Sequence, residues 1–386
     1  MADNIIGANL LRLRRHKKLS QGALAANAGI SRPSYRKIET GESVPKAETL
    51  LSLARALEVK LQDLVAPVRT LSAVRFRATK KMTSREQILA DVAVWLENFN
   101  QLEKIVDDTI PYKFKALARS LKKIRPGFDQ AKSAADKARR LLELSEDELI
   151  RDICGLLESC GIKVFPYRLT SDSFFGLSVG KADGGPAIVV NVWDRIPVER
   201  WIFSAAHELG HLLLHLEAYD VSQNQEDDAQ EVEANIFASH FLMPQGVFEK
   251  EWGESYGLPF IDRVLKTKRI FRVSYKTVLA RLVEKGEVGS DVWRNFNGGY
   301  IRRYGRSLPH NAEPEALDPA GFRREMSESL QAYEPAHLST DDFVEDRLKR
   351  LVRIAIEQED ISLSRGAEIL NIDLEAMRNL TASWVD

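Results

Sequence analysis

The chain has 386 residues, 44% of them hydrophobic, and a formal net charge of −1, a composition that predicts a soluble chain of two or three domains. No window approaches the roughly 18 apolar residues of a membrane span and no apolar signal core opens the chain, which argues against a membrane protein. The two cysteines, Cys154 and Cys160, are too few for a disulfide framework or a cysteine metal site, so we expect a cytoplasmic chain.

The first 66 residues have the pattern of five helices. Apolar residues from Leu10 to Leu19 define a first helix, and Ser20 is placed to cap a second. Gly29 permits a tight turn, and Ser31 is placed to cap a short third helix. Two further apolar segments, the last ending at Val65, predict the fourth and fifth helices. We therefore expect residues 1–66 to form a separate compact domain.

The second and third of these helices resemble the Xre/Cro-type helix-turn-helix family. The resemblance rests on the run from Leu19 to Ser31, on Ile38-Glu39-x-Gly41 and on Pro45. In that family the third helix enters the major groove and the start of the second touches phosphate. The resemblance implies a double-stranded DNA operator as a partner. The matching contact positions are Gln21, Arg32, Pro33, Ser34, Arg36 and Lys37.

These contact positions have different expected roles. Arg32 and Lys37 are the expected readers of base edges, whereas Gln21 and Arg36 are expected to position the DNA backbone. Pro33 departs from the usual polar residue, because it can pack against a thymine methyl group but cannot donate a hydrogen bond. Residues 1–66 contain eleven Lys/Arg and six Asp/Glu, a surplus that suits phosphate contact.

The helix-turn-helix resemblance also bears on assembly. A single module of this type reads few base pairs, so we expect a homodimer on two half-sites. The alternative is a helix-turn-helix that serves only protein docking or dimerisation.

Residues 67–143 have the pattern of a basic, helical region. From 67 to 140 they hold seventeen Lys/Arg against eight Asp/Glu, and one long helix is predicted from Met82 to Asp108. We expect this region to link the flanking domains or to pack on a partner. Its surplus positive charge also suits an extended DNA footprint.

Residues 144–290 predict a small α+β domain. A helix over 146–160 precedes strand-like segments at 162–166, at 174–179 and through Val190. An apolar helix then carries His207-Glu208-Leu209-Gly210-His211. The predicted order is therefore a helix, a short sheet and then the helix that carries the motif.

The motif indicates metal-dependent hydrolysis. Residues at i and i+4 share a helix face, so His207 and His211 can bind one cation. Glu208 is then placed to take a proton from a metal-activated water. Polar groups on an apolar helix are costly unless paired, and coordination would satisfy them.

A catalytic zinc site usually has three protein ligands and one open position. Glu231 is the best candidate for the third ligand, on a predicted amphipathic helix that ends near Pro244. Asn235 stands one turn after it, where its amide can hold a ligand imidazole. Glu233 is about 200° further round the helix and is expected to face elsewhere.

These residues resemble the ImmA/IrrE family of metallo-endopeptidases. The resemblance rests on the run from His207 to His215, on Glu231-x-Glu-Ala-Asn235 and on Leu242-Met-Pro244. It implies a gluzincin-like zinc peptidase, with Zn²⁺ bound by His207, His211 and Glu231 and with Glu208 as the general base.

Three further polar residues near the motif are given smaller roles. His215 continues the i+4 series but lies another turn along, so it is expected not to bind the metal. His240 is turned about 180° from Glu231 and is expected to be packed or hydrogen-bonded. Tyr219 and His240 are weak candidates for stabilising the oxyanion. The acidic stretch from 217 to 233 is expected to be a solvated loop or a cover over the cleft.

Residues 291–386 predict a helical C-terminal region. The run from Ile361 to Leu370 indicates either a second helix-turn-helix-like module or a partner-binding element. Gly298-Gly299 and the region from Pro309 to Pro319 are expected to be loop or linker.

The predicted fold class is multidomain and mainly α. A five-helix Xre-type domain is followed by an α+β gluzincin-like peptidase domain and a helical C-terminal region. Two functions fit this order. The first is a DNA-binding regulator whose zinc endopeptidase, active conditionally, cleaves a repressor-type protein. The second is an autorepressing antitoxin whose peptidase fold binds a toxin partner.

Overall fold

A computed structural model of the chain describes residues 4–17, 19–65, 71–78, 85–215, 219, 227–309, 312–315 and 337–384. The chain divides into two compact units, one from Met1–Leu71 with Lys81–Trp95 and the other from Ser72–Lys80 with Leu96–Asp386. The four-domain division with boundaries at 66, 143 and 290 stays a prediction. Within the described residues, no helix combines the length and apolar character needed to cross a bilayer.

The first unit contains the five helices expected from the sequence. They are α1 (Ile5–His16), α2 (Gln21–Asn27), α3 (Arg32–Glu39), α4 (Ala47–Leu57) and α5 (Leu61–Val65). The side chain of Ser20 accepts the N–H of Ala23, and that of Ser31 accepts the N–H of Ser34, so both predicted N-caps are present. Gly29 has a φ of 70° at the turn between α2 and α3.

The core of this unit is formed by apolar side chains from all five helices. Its fully buried members are Leu10, Leu24, Tyr35, Leu53, Leu57 and Leu64. Because helices this short are marginal alone, their shared core supplies most of their stability.

The second unit is built around a four-stranded sheet. Its strands are β1 (Val74–Ala78), β2 (Lys163–Tyr167), β3 (Phe174–Val179) and β4 (Ala187–Asn191). Their order is β1-β3-β4-β2, with β2 parallel to β4 and the other two pairs antiparallel. The pattern-based strands at 162–166, 174–179 and up to Val190 correspond to β2, β3 and β4.

Strand β1 was not predicted, because it lies in the region expected to be a helical linker. The alternation Val74-Arg75-Phe76 is typical of a strand with one buried face, but it is too short to stand out in a basic sequence. Val74 is 1% exposed, and β1 pairs with β3 along the edge of the sheet.

Helices cover most of the remaining described chain. They are α6 (Arg85–Ile105), α7 (Lys115–Leu121), α8 (Phe128–Leu141), α9 (Ile153–Glu158), α10 (Val198–Leu214), α11 (Asp228–Leu242), α12 (Gln245–Glu254), α13 (Phe260–Phe271), α14 (Tyr275–Glu284), α15 (Val292–Tyr304), α16 (Arg347–Glu357), α17 (Leu363–Leu370) and α18 (Leu374–Ala382). Helix α10 packs on β3, β4 and α11, and α11 also packs on α8.

Two sequence expectations differ from the structure. The helix expected over 146–160 is confined to α9, which begins after Asp152 because that side chain accepts the N–H of Gly155. The loop expected at Gly298-Gly299 is wrong, since both residues lie inside α15. A Cβ on Gly299 would lie 3.0 Å from the Ile261 side chain, so this glycine serves close packing of α13 and α15. Most of the region from 309 to 319 lies outside the described residues.

Candidate functional site

Helix α10 places two imidazoles on one buried face. His207 and His211 are 1% and 0% exposed, and their Nε2 atoms lie 2.9 Å apart. They converge because positions i and i+4 of a helix share a face. The apolar residues around them bury the whole face against the sheet and α11.

Helix α11 supplies the third group. Glu231 Oε2 lies 3.3 Å from Nε2 of His207, and Oε1 lies 3.3 Å from Nε2 of His211. One candidate ligand atom from each of the three residues lies within 4.8 Å of the others. A Cβ on Gly210 would lie 3.0 Å from the Phe237 ring. The close approach of α10 and α11, which brings Glu231 to the histidines, therefore depends on glycine at this position.

The outer nitrogen of each imidazole has its own partner. His207 Nδ1 lies 3.0 Å from Asn235 Oδ1, as the sequence predicted for this amide. His211 Nδ1 lies 2.8 Å from Nδ1 of His215, whose Nε2 lies 2.8 Å from Glu233 Oε2. An Nδ1–H donated outward leaves the Nε2 lone pair of the same ring free for a cation. Both rings are therefore oriented for ligation through Nε2.

The chain His211–His215–Glu233 was missed from the sequence. Glu233 does point away from Glu231, as expected, but it points to His215 and is buried. The available signal was the third histidine of the i+4 series together with a glutamate two residues after the third ligand.

Glu208 lies beside the histidines and contacts the sheet. It is 2% exposed, and Ser178 Oγ of β3 donates to its Oε2 at 2.7 Å. Tyr219 extends this network, because its hydroxyl lies 2.7 Å from Ser178 Oγ. A Cβ on Gly176 would lie 3.3 Å from Glu208 Oε1, so β3 passes close to this carboxylate. Sequence patterns gave no indication of Ser178.

Strand β1 places a positively charged side chain beside Glu231, the third candidate ligand. Arg75 lies opposite Ser178 in the β1–β3 pairing. Its Nη2 lies 3.1 Å from Glu231 Oε1, and its Nη1 donates to Gln230 Oε1 at 2.5 Å. The Arg75 side chain is 12% exposed. This contact was also missed, because β1 itself was not predicted.

Burial and hydrogen bonding set the charges of the centre. Burial alone would raise the pKa of Glu231, but its close contacts with His207 and His211 outweigh this effect and lower that pKa. Burial lowers the pKa of His211 well below its usual value of 6.5, against the opposing effect of Glu231. A neutral imidazole and an ionised carboxylate are the protonation states that metal ligation requires.

The two weak candidates for the oxyanion lie in different places. Tyr219 reaches Glu208 through Ser178, and burial raises the pKa of its hydroxyl. His240 contacts Glu284 and Arg281 of α14, with its Nε2 2.9 Å from Glu284 Oε1. His240 is thus a hydrogen-bonded packing residue, as the sequence indicated. Residues 216–218 and 220–226 of the acidic stretch lie outside the described residues.

The predicted DNA-contacting residues lie on the surface of α2 and α3. Those on α3 are exposed, namely Arg32, Pro33, Ser34, Arg36 and Lys37. Tyr35, Ile38 and Glu39 of the same helix are buried. Gln21 is half-buried, and its amide donates to Glu39 Oε2 at 2.5 Å.

Glu39 connects the first three helices. It accepts hydrogen bonds from Arg14 Nε of α1 at 2.8 Å, from Gln21 of α2 and from the Tyr35 hydroxyl at 3.0 Å. Burial opposes ionisation of this carboxyl, but the hydrogen bonds from Arg14, Gln21 and Tyr35 outweigh it and lower its pKa. The orientation of the exposed face of α3 therefore depends on a buried, ionised glutamate.

Comparison with known proteins gives matches for both parts of the chain. The model of the IrrE N-terminal-like domain, a peptidase family, matches residues 157–283, and a helix-turn-helix model matches residues 10–64. The chain is 33% identical over 82 residues to the uncharacterized HTH-type transcriptional regulator YqaE of Bacillus subtilis, covering 21% of this chain and 71% of that protein.

Two further relatives show the same kind of match. An uncharacterized HTH-type transcriptional regulator, y4dJ of Sinorhizobium fredii, is 40% identical over 63 residues, covering 16% of this chain and 82% of that protein. The cryptic phage CTXphi transcriptional repressor RstR of Vibrio cholerae is 37% identical over 59 residues, covering 15% of this chain and 53% of the repressor.

Proposed function

Because this chain belongs to the helix-turn-helix transcriptional regulators and carries an IrrE N-terminal-like peptidase domain, we propose that it is a DNA-binding regulator with a zinc-dependent endopeptidase that cleaves a repressor-type protein. The observation that carries the hydrolytic part is the convergence of His207, His211 and Glu231 beside the buried Glu208.

The donor set fits a catalytic zinc ion. Two imidazole nitrogens and one carboxylate oxygen are three ligands, which leaves a fourth position for water or substrate. The Nε2 atoms are 2.9 Å apart and each Nδ1 has its own outward partner, an arrangement that a bound cation would stabilise. His207, His211 and Glu231 would hold the zinc, and Asn235 and His215 would orient the two imidazoles.

Bound there, zinc would act as a Lewis acid on the scissile carbonyl and lower the pKa of a water to about 7. Glu208 takes a proton from the attacking water and delivers it to the leaving amine nitrogen as the C–N bond breaks. Ser178 donates to Glu208 Oε2, which holds the carboxylate in position for this proton transfer. The buried surroundings of Glu208 exclude competing solvent.

The DNA-binding part is supported by the exposed cationic face of α3. We assign Arg32 and Lys37 to contacts with base edges and Arg36 to a contact with phosphate. Pro33 and Ser34 lie between Arg32 and Arg36 in sequence and are assigned to the same DNA-facing surface. Gln21 is assigned to the backbone of the operator. Two copies on half-sites about one helical turn apart would give the affinity that one module lacks.

A Glu208→Gln variant tests the hydrolytic part. The amide keeps the size and the Ser178 contact but removes the base, so binding of zinc and of the protein partner is retained while cleavage falls by orders of magnitude. The inactive variant recovers the partner from cell extract, and mass spectrometry identifies it. Glu284→Gln is the matched control, because Glu284 contacts His240 away from the centre, and it should cleave as the wild type does.

Unaltered proteolysis by the Glu208→Gln chain would remove Glu208 from its role. If neither form cleaves the partner and both retain regulation in cells, the antitoxin function replaces the protease.

A further inference from the structure

The last three described helices repeat the first three. Helices α1, α2 and α3 begin at residues 5, 21 and 32, and α16, α17 and α18 begin at 347, 363 and 374, which is 342 residues later in each case. No insertion or deletion interrupts the correspondence across the three starts.

The helix caps repeat with the same spacing. Ser20 and Ser362 each accept the backbone N–H three residues ahead, at the start of α2 and of α17. Ser31 and Asp373 do the same at the start of α3 and of α18. Side-chain caps at these positions fix where the second and third helices begin.

The turn between the second and third helices also repeats. Gly29 and Asn371 both adopt the left-handed conformation, with φ of 70° and 53°. The following residues, Ile30 and Ile372, donate to the carbonyl five positions back at 2.9 and 3.0 Å. Three buried positions correspond as well: Leu24 with Gly366, Ala25 with Ala367, and Tyr35 with Met377. Residues 347–382 therefore have the helix-turn-helix arrangement.

The exposed side chains of α17 and α18 differ from those of α2 and α3. Where α2 and α3 present Gln21 and Arg32, α17 and α18 present Leu363 and Leu374, which are 38% and 39% exposed. The position of Lys37 is taken by Asn379, and of the three α3 cations only Arg36 has a cationic counterpart, Arg378.

The C-terminal helices also lack the surplus of positive charge that residues 1–66 have. Residues 347–384 contain six Lys/Arg and six Asp/Glu. Phosphate contact depends on a surplus of positive charge, so this second face is unsuited to DNA and suited to an apolar protein surface.

Part of the apolar stripe of α18 is exposed within the described part of the chain. Leu374, Met377 and Leu380 recur every three residues, but within the described part of the chain only Met377 of α18 is buried. A surface helix normally buries such a stripe. Only four of the 24 residues from 361 to 384 are buried, so α17 and α18 leave much of their surface exposed. A stable interface uses about 20 to 30 residues a side, and the exposed face of these helices would supply part of one side.

We propose that the exposed face of α17 and α18 around Leu363 and Leu374 docks a second copy of this chain. The proposal rests on the DNA-binding part of the proposed function, in which two copies on two half-sites bind more tightly than one. A two-fold interface must be self-complementary. Glu375 and Arg378, both exposed on α18 near Leu374, allow each carboxylate to meet the guanidinium of the other copy.

Sedimentation of the full chain without DNA tests the surface. The wild type sediments as a dimer, and Leu374→Asp raises its dissociation constant by at least about tenfold, because a charge buried at an apolar contact costs more than about 1.4 kcal/mol. Ile301→Asp is the matched control, since Ile301 is 45% exposed on α15, and it stays dimeric. Circular dichroism confirms that each variant keeps the wild-type helix content.

A charge exchange gives a second readout. Glu375→Arg weakens the dimer, and combining it with Arg378→Glu restores the dimer. A monomeric wild type, or a Leu374→Asp chain that stays fully dimeric, overturns the proposal. Loss of DNA affinity in Leu374→Asp with no change in oligomeric state also overturns it, in favour of a second DNA-reading unit. Proteolysis and wild-type DNA binding are measured separately, so a monomer that still binds its operator leaves the proposed function standing.

Discussion

His211 depends on a neighbour that lies outside the five-residue motif. Its Nδ1 contacts His215, which in turn contacts Glu233, so the ring of a ligand is held by two further buried side chains. Contacts of this kind fix the tautomer and the ring orientation of a metal ligand. We therefore expect His215 to influence zinc affinity without binding zinc.

Replacing His215 by alanine should weaken zinc binding by about 10- to 100-fold, because Nδ1 of His211 loses its buried partner. Competition with a chromophoric chelator measures this affinity. His240→Ala is the control, because His240 is a buried histidine that contacts α14 instead of the centre. Equal zinc affinity in the two variants would show that the His215 contact has no role in ligation.

In the DNA-binding unit, Glu39 is the buried residue that connects several neighbouring side chains. Its carboxylate joins Arg14, Gln21 and Tyr35, and these contacts lower its pKa below the usual value. A lowered folded-state pKa stabilises the fold above the unfolded pKa of about 4.3, and the stabilisation is lost as the pH falls through the folded-state pKa.

Glu39→Gln should destabilise the first unit by about 1.5 to 3 kcal/mol at pH 7, since hydrogen bonds to a charged group are lost. The difference from the wild type should begin to shrink as the pH falls below the unfolded-state pKa of about 4.3, where the carboxyl is protonated in the unfolded chain, and it should be smallest below the lowered folded-state pKa. Hydrogen exchange of α1 and α3 in the full chain, corrected for intrinsic rates, measures both effects. Glu42→Gln, at an exposed position, is the control, and a difference that stays constant with pH would contradict this account.

At the scale of elements, different residues of α3 are expected to read base edges and to contact the DNA backbone. Arg32→Ala should cost about 1 to 3 kcal/mol and flatten the preference at one operator position, because one base-edge contact is lost. Arg36→Ala should weaken all sequences alike and lower the salt slope by about one. Footprinting on the chain's own promoter and salt-titrated affinities measure these effects. Absence of any sequence preference at moderate salt would make the first unit a docking module.

Local patterns identified the elements whose signals lie close together in sequence. Helices α2 and α3 follow from Ser20, Gly29 and Ser31, and the two histidines of α10 follow from helical spacing. Glu231 could also be predicted, because a catalytic zinc site usually has three protein ligands and the histidines supply only two.

Local sequence patterns did not predict the contacts that the sheet makes with the centre. Arg75 and Ser178 reach the centre only because β1, β3 and α10 pack together, and no spacing along the chain encodes that packing. Gly299 was misread for a related reason, since glycine marks close packing of α13 and α15 as well as turns. Sequence patterns therefore predicted the three candidate ligands but not the residues that contact them.

At the scale of the whole molecule, one chain combines a DNA-binding unit with a buried metal-type centre. The proposed function requires that this centre hold zinc through His207, His211 and Glu231. His207→Ala should abolish stoichiometric zinc, because the two remaining ligands bind it far less tightly than three do. Elemental analysis of the purified full chain, with His240→Ala as the control, measures the stoichiometry, and unchanged occupancy in His207→Ala would place the metal elsewhere.

X-ray absorption at the zinc edge of the wild-type chain tests the central claim most directly. The account predicts about one zinc per chain, two nitrogen ligands at about 2.0–2.1 Å and oxygen ligands for the remainder, with this bound-zinc signal lost in His207→Ala. A sulfur ligand, or a zinc environment that the His207→Ala substitution leaves unchanged, would contradict it.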